Sequence, residues 1–228
     1  MKLFVAKLGE IDYQDALTMQ EKLLLLRQQN KVEDIMLLLQ HPPTLTLGTR
    51  ENRYNILVPE VELKRQGVNI FKSNRGGDVT YHGPGQIVGY PIVDLNGHGK
   101  SIREYVHKIE ETFIQLLKEE YDLTASRESK YHGVWLGNEK ITAIGCAVKR
   151  WVTMHGFAFN VNTNLSHFNL INPCGITDRG VTSLQKIFGQ PQDMEKVYKQ
   201  VITYFSRVFD FEPEIIDDKK LNEIVGRE

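Results

Sequence analysis

The chain has 228 residues, 41% hydrophobic and 25% charged, with 28 basic against 29 acidic side chains and a formal net charge of −1. These proportions suit a globular fold and exclude disordered and fibrous classes, and the balanced charge argues against a general nucleic-acid binder, which needs a localised basic face. No apolar run approaches the roughly 20 residues needed to cross a bilayer.

Residues 1–7 read as a short strand, without the apolar core and cleavage site of a signal peptide. Asp12 is placed to cap a helix running to about residue 30, with Ala16, Met19, Leu23 and Leu26 in one stripe flanked by Leu17 and Leu24. Ile35 to Leu39 form an unbroken apolar run that predicts a strand buried on both faces. His41-Pro42-Pro43 ends it, because prolines cannot continue a central strand. Thr44 to Leu47 alternate like a strand with one exposed face and stop at Gly48. A short helix over residues 60–66 and a strand over 68–72 follow.

Residues 75–86 hold four glycines and a proline, which predicts a shaped loop, interrupted by the β-prone Val79-Thr80-Tyr81. Residues 86–95 read as a strand. Ser101 and Glu104 form a capping box that opens a long helix. Its buried stripe is Ile102, Tyr105, Val106, Ile109, Phe113, Leu116 and Leu117. Residues 132–137 and 140–150 flank Asn138-Glu139 as a hairpin. Residues 155–162 form a strand with Phe157, Phe159 and Val161 on one side. A loop carrying Cys174, a helical turn over 184–188 and a last amphipathic helix over 193–209 complete the pattern. There is no internal repeat and no linker. One α/β (α+β) domain over residues 1–228, a mixed sheet flanked by helices, is the expected architecture.

Of the two cysteines, Cys174 lies between Pro173 and Gly175, on a turn that presents its thiol. Cys146 lies in an alternating apolar run and reads as buried and inert. The pair suggests no disulfide framework, so a reducing cytoplasm is expected. A cysteine attacks as thiolate, and its ordinary pKa of about 8.5 leaves little ionised at neutral pH. It needs a base or a neighbouring cation. Lys140, at a strand end just after the hairpin turn, is one candidate, set against a solvated turn lysine. His82 and His155, each beside a glycine, are the rival candidates. The seven histidines show no metal-binding spacing. The glycine-rich loop matches no phosphate-binding pattern, but its backbone amides suit an oxyanion or an acyl channel. Arg75 suits a carboxylate or phosphate, against a surface ion pair.

Several of these stretches together resemble the lipoyl(octanoyl) transferases, of the biotin/lipoate protein ligase fold superfamily. They are His41-Pro42-Pro43, Arg75-Gly76-Gly77 through Tyr81-His82-Gly83-Pro84-Gly85-Gln86, Lys140 through Gly145, His155-Gly156 through Asn162, and Asn172-Pro173-Cys174-Gly175. The resemblance implies an acyl transfer in two halves. Cys174 would take an octanoyl group from octanoyl-acyl carrier protein as a thioester. A lysine ε-amine on a lipoyl domain, of a 2-oxoacid dehydrogenase complex or of the glycine cleavage H protein, would then take it as an amide. Lys140 would lower the thiol pKa and carry protons, with the histidines in a supporting shell.

The family's binding positions fall on Arg75, Gly76, Gly77, Asp78, Val79, Thr80, Tyr81 and His82, on Ala143, Ile144 and Gly145, and on Gly156, Phe157 and Ala158. No metal, nucleotide or other cofactor is implied, because a thioester is already activated. Basic residues such as Lys72, Lys149 and Arg150 would suit an acidic carrier. Two rival readings stand beside this one: an ATP-dependent lipoate or biotin ligase, and a non-catalytic acyl-carrier-binding module.

Overall fold

Two parallel strands joined by a helix set the frame. Lys2–Glu10 (β1) and Asp34–Gln40 (β2) pair in parallel, so Tyr13–Gln28 (α1) supplies the crossover that a parallel pair requires. A computed structural model describes residues 1–128, 131–175 and 178–226, with Cys174 described by its backbone alone. The apolar run in β2 is buried on both faces, as its composition predicts. Met36 and Leu38 enter one core, and Ile35, Leu37 and Leu39 enter the other.

The chain then leaves the main sheet. Thr44–Leu47 (β3), Glu60–Arg65 (α2), Asn69–Lys72 (β4) and Val79–His82 (β5) build a small sheet of order β4-β3-β5. Here β3 departs from the expected half-exposed strand, because all four of its residues are buried. Leu45 and Leu47 enter a third core with Leu63, Val79 and Tyr81. The Thr46 hydroxyl accepts from the Arg75 guanidinium at 2.9 and 3.0 Å, so its polar face is covered too.

Gln86–Ile92 (β6) returns to the main sheet antiparallel to β2. After it come Ile102–Tyr121 (α3), Ser126–Arg127 (β7), Val134–Leu136 (β8), Glu139–Lys149 (β9) and Val152–Asn160 (β10). Gly180–Val181 (β11), Leu184–Phe188 (α4) and Met194–Phe209 (α5) follow. With Glu212–Ile216 (β12) at its edge, the main sheet runs β12-β1-β2-β6-β10-β9-β8-β7, and β11 lies beside β9. β12 and a closing helix, Asp218–Val225 (α6), lie beyond residue 209, where the sequence pattern shows no further element.

The expected mixed sheet flanked by helices is present. Helices α3 and α5 cover one face, where Phe113 sits edge-on to Phe157 at 4.8 Å. Helices α1 and α6 cover the other. The Ser101 hydroxyl caps α3 through the Glu104 N–H at 3.1 Å. Ile102 departs from its expected stripe and is 47% exposed, because it stands at the first helical residue, ahead of the turns that reach the sheet. β10 begins at Val152, earlier than expected, and is buried along its whole length on both sides. No helix among the described residues is long and apolar enough to cross a membrane.

Candidate active site

Strand alternation decides which residues of β5 can face a substrate. Thr80 and His82 line a narrow cleft of about 50 Å³ between β5 and the β9–β10 pair. Val79 and Tyr81 point the other way, into the core of the small sheet, where the Tyr81 hydroxyl meets His167 Nδ1 at 2.8 Å. The cleft is completed by Arg75, Gly76, Gly77, Lys140, Ala143, Ile144, Gly145, Gly156, Phe157 and Ala158, with Tyr13, Tyr90 and His155. Asp78 lines a wider neighbouring cavity, where its carboxylate accepts the Asn52 N–H at 2.8 Å and the Asn55 side-chain amide.

The loop and β9 approach closely enough to need glycine. The Gly76 N–H donates to the Cys146 carbonyl at 2.9 Å, and a Cβ on Gly145 would lie 3.0 Å from the Gly76 oxygen. Arg75, only 7% exposed, turns its guanidinium back onto the protein. It donates to the carbonyls of Thr46 at 2.6 Å, Asp78 at 2.7 Å and Gly76 at 3.1 Å. These bonds shape the loop and set the guanidinium beside His82 and His155.

Burial keeps those histidines neutral. Desolvation, then the charges of His41 and Arg75, hold the His82 pKa well below its ordinary value. Its Nδ1 lies 2.9 Å from Gln86 Oε1, an acceptor, which assigns the proton to Nδ1. Gln86 Nε2 in turn donates to Asn160 Oδ1 at 2.9 Å, and Asn160 Nδ2 to the Thr182 carbonyl at 3.1 Å. His155 is pushed down to about 3 by burial and then by Arg75. Its backbone is left-handed, φ 57°, and its N–H donates to the buried Gln20 at 2.8 Å. His41 is pushed down to about 4, mainly by burial. Its Nδ1 donates to the Ile11 carbonyl at 2.6 Å, so its Nε2 accepts from the Tyr90 hydroxyl at 2.8 Å.

Lys140 is 8% exposed at the start of β9, its Nζ 4.8 Å from the centre of the Trp135 ring. It lines three cavities at once: the narrow cleft, a wider one of about 480 Å³ reaching Arg50, His132 and Cys146, and a small one of about 20 Å³. That small cavity is also lined by Pro173, the residue before Cys174. Cys174 lies in the 3-10 turn Pro173–Gly175; its side chain lies outside the described residues. Two backbone bonds hold the turn, Asn172 N–H to the Asn55 carbonyl at 2.8 Å and Gly175 N–H to the Asn172 carbonyl at 2.9 Å. Cys146 is half-buried against the α3 core, and desolvation pushes its thiol up to about 11, which makes it a poor nucleophile.

Of the basic residues suggested for carrier docking, Lys72 pairs with Glu51 at 2.9 Å. Lys149 and Arg150 stand at the opposite end of β9 from Lys140, roughly 30 Å away along an extended strand. Tyr13, Tyr90, Gln86 and Asn160 were not legible as site residues. Gln86 sits in the glycine-rich string without a spacing that marks it, and Tyr13 reaches the cleft from a different layer. Among the described residues no three His, Cys, Asp or Glu side chains converge as metal ligands.

The fold is the one shared by lipoate and biotin protein ligases. A bipartite lipoate protein ligase from Thermoplasma acidophilum superposes with a TM-score of 0.76 over 99% of this chain and 91% of that one, at 15% identity. Biotin protein ligase from Aquifex aeolicus gives 0.52 over 92% of this chain and 69% of that one, at 14% identity. At such identities the likeness is one of fold. The sequence then narrows it: residues 12–206 match the lipoyl protein ligase A/B catalytic domain, and the chain belongs to that family. It is 54% identical over 226 residues to an octanoyltransferase of Caldicellulosiruptor saccharolyticus, covering 99% of this chain and 96% of that protein.

Proposed function

We propose that this chain is an octanoyltransferase that acts through Cys174, with Lys140 as its proton carrier. The observation that carries the reading is the position of Lys140, shared between an apolar cleft and the cavity of Pro173. The donor is octanoyl-acyl carrier protein. Cys174 Sγ forms a bond to the thioester carbonyl carbon, and the carrier's sulfur departs. Lys140 takes the thiol proton and returns it to that leaving sulfur.

In the second half a lipoyl-domain lysine amine attacks the acyl-enzyme. The C–S bond breaks, an amide forms, and the proton shed by the amine passes through Lys140 to Cys174. The octanoyl chain packs against Ala143, Ile144, Phe157 and Ala158, the apolar wall of a cleft that widens to admit it. The Gly76 N–H is committed to the Cys146 carbonyl, so of this loop it is the Gly77 amide that is offered to the carbonyl as it becomes tetrahedral. The acceptors are the lipoyl domains of 2-oxoacid dehydrogenase complexes and the glycine cleavage H protein, and the setting is cytoplasmic.

Mass spectrometry of the protein after mixing with octanoyl-carrier, without ATP, tests this. A single octanoyl adduct is expected on the unmodified chain and on Cys146→Ala, and none on Cys174→Ala. An adduct on Cys174→Ala, or transfer only when ATP is added, overturns the assignment.

A further inference from the structure

A buried acid on α3 has no place in the chemistry above. Glu110 is 2% exposed, and burying a carboxylate is costly unless partners compensate. Its Oε1 accepts the Gly133 N–H at 3.2 Å, its Oε2 faces Arg127 Nε at 3.3 Å, and His132 Nδ1 stands 3.9 Å off. Gly133 is in turn pressed against the catalytic lysine. Its φ is +132°, and a Cβ there would lie 2.5 Å from the Thr142 carbonyl oxygen and 3.3 Å from both Cδ and Cε of Lys140. The lysine Nζ also lies 4.8 Å from the ring of Trp135, 1% exposed, whose indole N–H donates to the Tyr131 carbonyl at 3.1 Å. Residues 131–135 thus form a sleeve around the Lys140 stem, and Glu110 ties that sleeve to α3.

We infer that Glu110 is a positioning residue: through the Gly133 amide it fixes the sleeve, and through the sleeve it fixes where the Lys140 amine sits. It lines none of the three cavities, so it acts on no substrate directly. The inference rests on the Lys140 reading above. A buried side chain that merely held two elements together would change stability alone. A group that aims the base changes rate, because a displacement of about 1 Å can cost on the order of 10²-fold.

The experiment compares Glu110→Ala, Glu110→Gln, Lys140→Ala and the double variant, reading kcat, KM for octanoyl-carrier and the pH dependence of Cys174 alkylation. Glu110→Ala is expected to lose about 10- to 100-fold in kcat with KM within about twofold, and to move the alkylation midpoint towards that of Lys140→Ala. Glu110→Gln, which still accepts from Gly133, is expected to restore most of the rate. The double variant is expected to be no slower than Lys140→Ala alone, since coupled groups do not add. A wild-type alkylation profile in Glu110→Ala, beside a shifted one in Lys140→Ala, overturns this inference alone. A wild-type profile in Lys140→Ala overturns both it and the reading on which it rests. Should Glu110→Ala fail to fold, Glu110→Asp withdraws the oxygen from Gly133 while keeping the charge facing Arg127. Unshifted alkylation in that variant has the same overturning force.

Discussion

At the scale of single residues, the site separates two thiols and two kinds of base by their surroundings. Cys146 is raised by burial and lies in a packed strand, whereas Cys174 sits on a turn bounded by Pro173 and Gly175. The histidines that sequence offers as partners for a thiol are desolvated and lie beside Arg75, so their imidazolium forms are disfavoured. Lys140 stays a candidate because it combines burial with access to every cavity of the site. A nearby ammonium favours thiolate, so Lys140→Ala is expected to raise the pH midpoint for alkylation of Cys174, followed with iodoacetamide across a pH series. An unmoved midpoint would strip Lys140 of its role. Most of the residues that line the cleft are legible because their motifs are local. Tyr13 and Tyr90 are not, since each reaches the cleft from an element that has its own packing reasons for an aromatic residue.

At the scale of elements, legibility follows how strongly a segment's pattern reflects one environment. β2 reads correctly because it is buried on both faces and uniformly apolar. β3 misleads because its threonines look solvent-facing, yet the Arg75 guanidinium covers Thr46 from the loop. β12 escapes notice because Glu212-Pro213-Glu214 carries the polar, proline-bearing composition of an edge strand, with Ile216 its one buried residue. That tail nevertheless shields β1, its register running from Lys2↔Glu212 to Ala6↔Ile216. Ile216, Leu221 and Ile224 enter the α1 core, and full burial of such side chains is worth about 1.5–3 kcal/mol each. A chain ending at Asp210 is therefore expected to lose roughly 5 kcal/mol or more, seen as a lower urea midpoint, and to self-associate through the bared β1 edge. A truncated chain with the full-length midpoint would show the tail to be dispensable.

At the scale of the whole molecule, the buried imidazoles link stability to pH. His41 and His155 have pKa values lowered to about 4 and about 3, against 6.5 in an unfolded chain. Below pH 6.5 the unfolded state binds more protons than the native one, so stability is full above that value and declines as pH falls towards 4 and then 3. His41 alone accounts for on the order of 3 kcal/mol of that decline. Urea unfolding is expected to show a clearly lower midpoint at pH 4.5 than at pH 7, and a shallower difference in His41→Gln. Equal midpoints at the two pH values would mean that these pockets accept the charge without cost.

The wider cavity beside Lys140 has a consequence for traffic. If the acyl group is handled beside Lys140 as proposed, this cavity is the roomier approach by which donor and acceptor would come to it, each in its turn. Two protein partners sharing one vestibule would then queue for it, and a spent carrier that lingered would delay the next arrival.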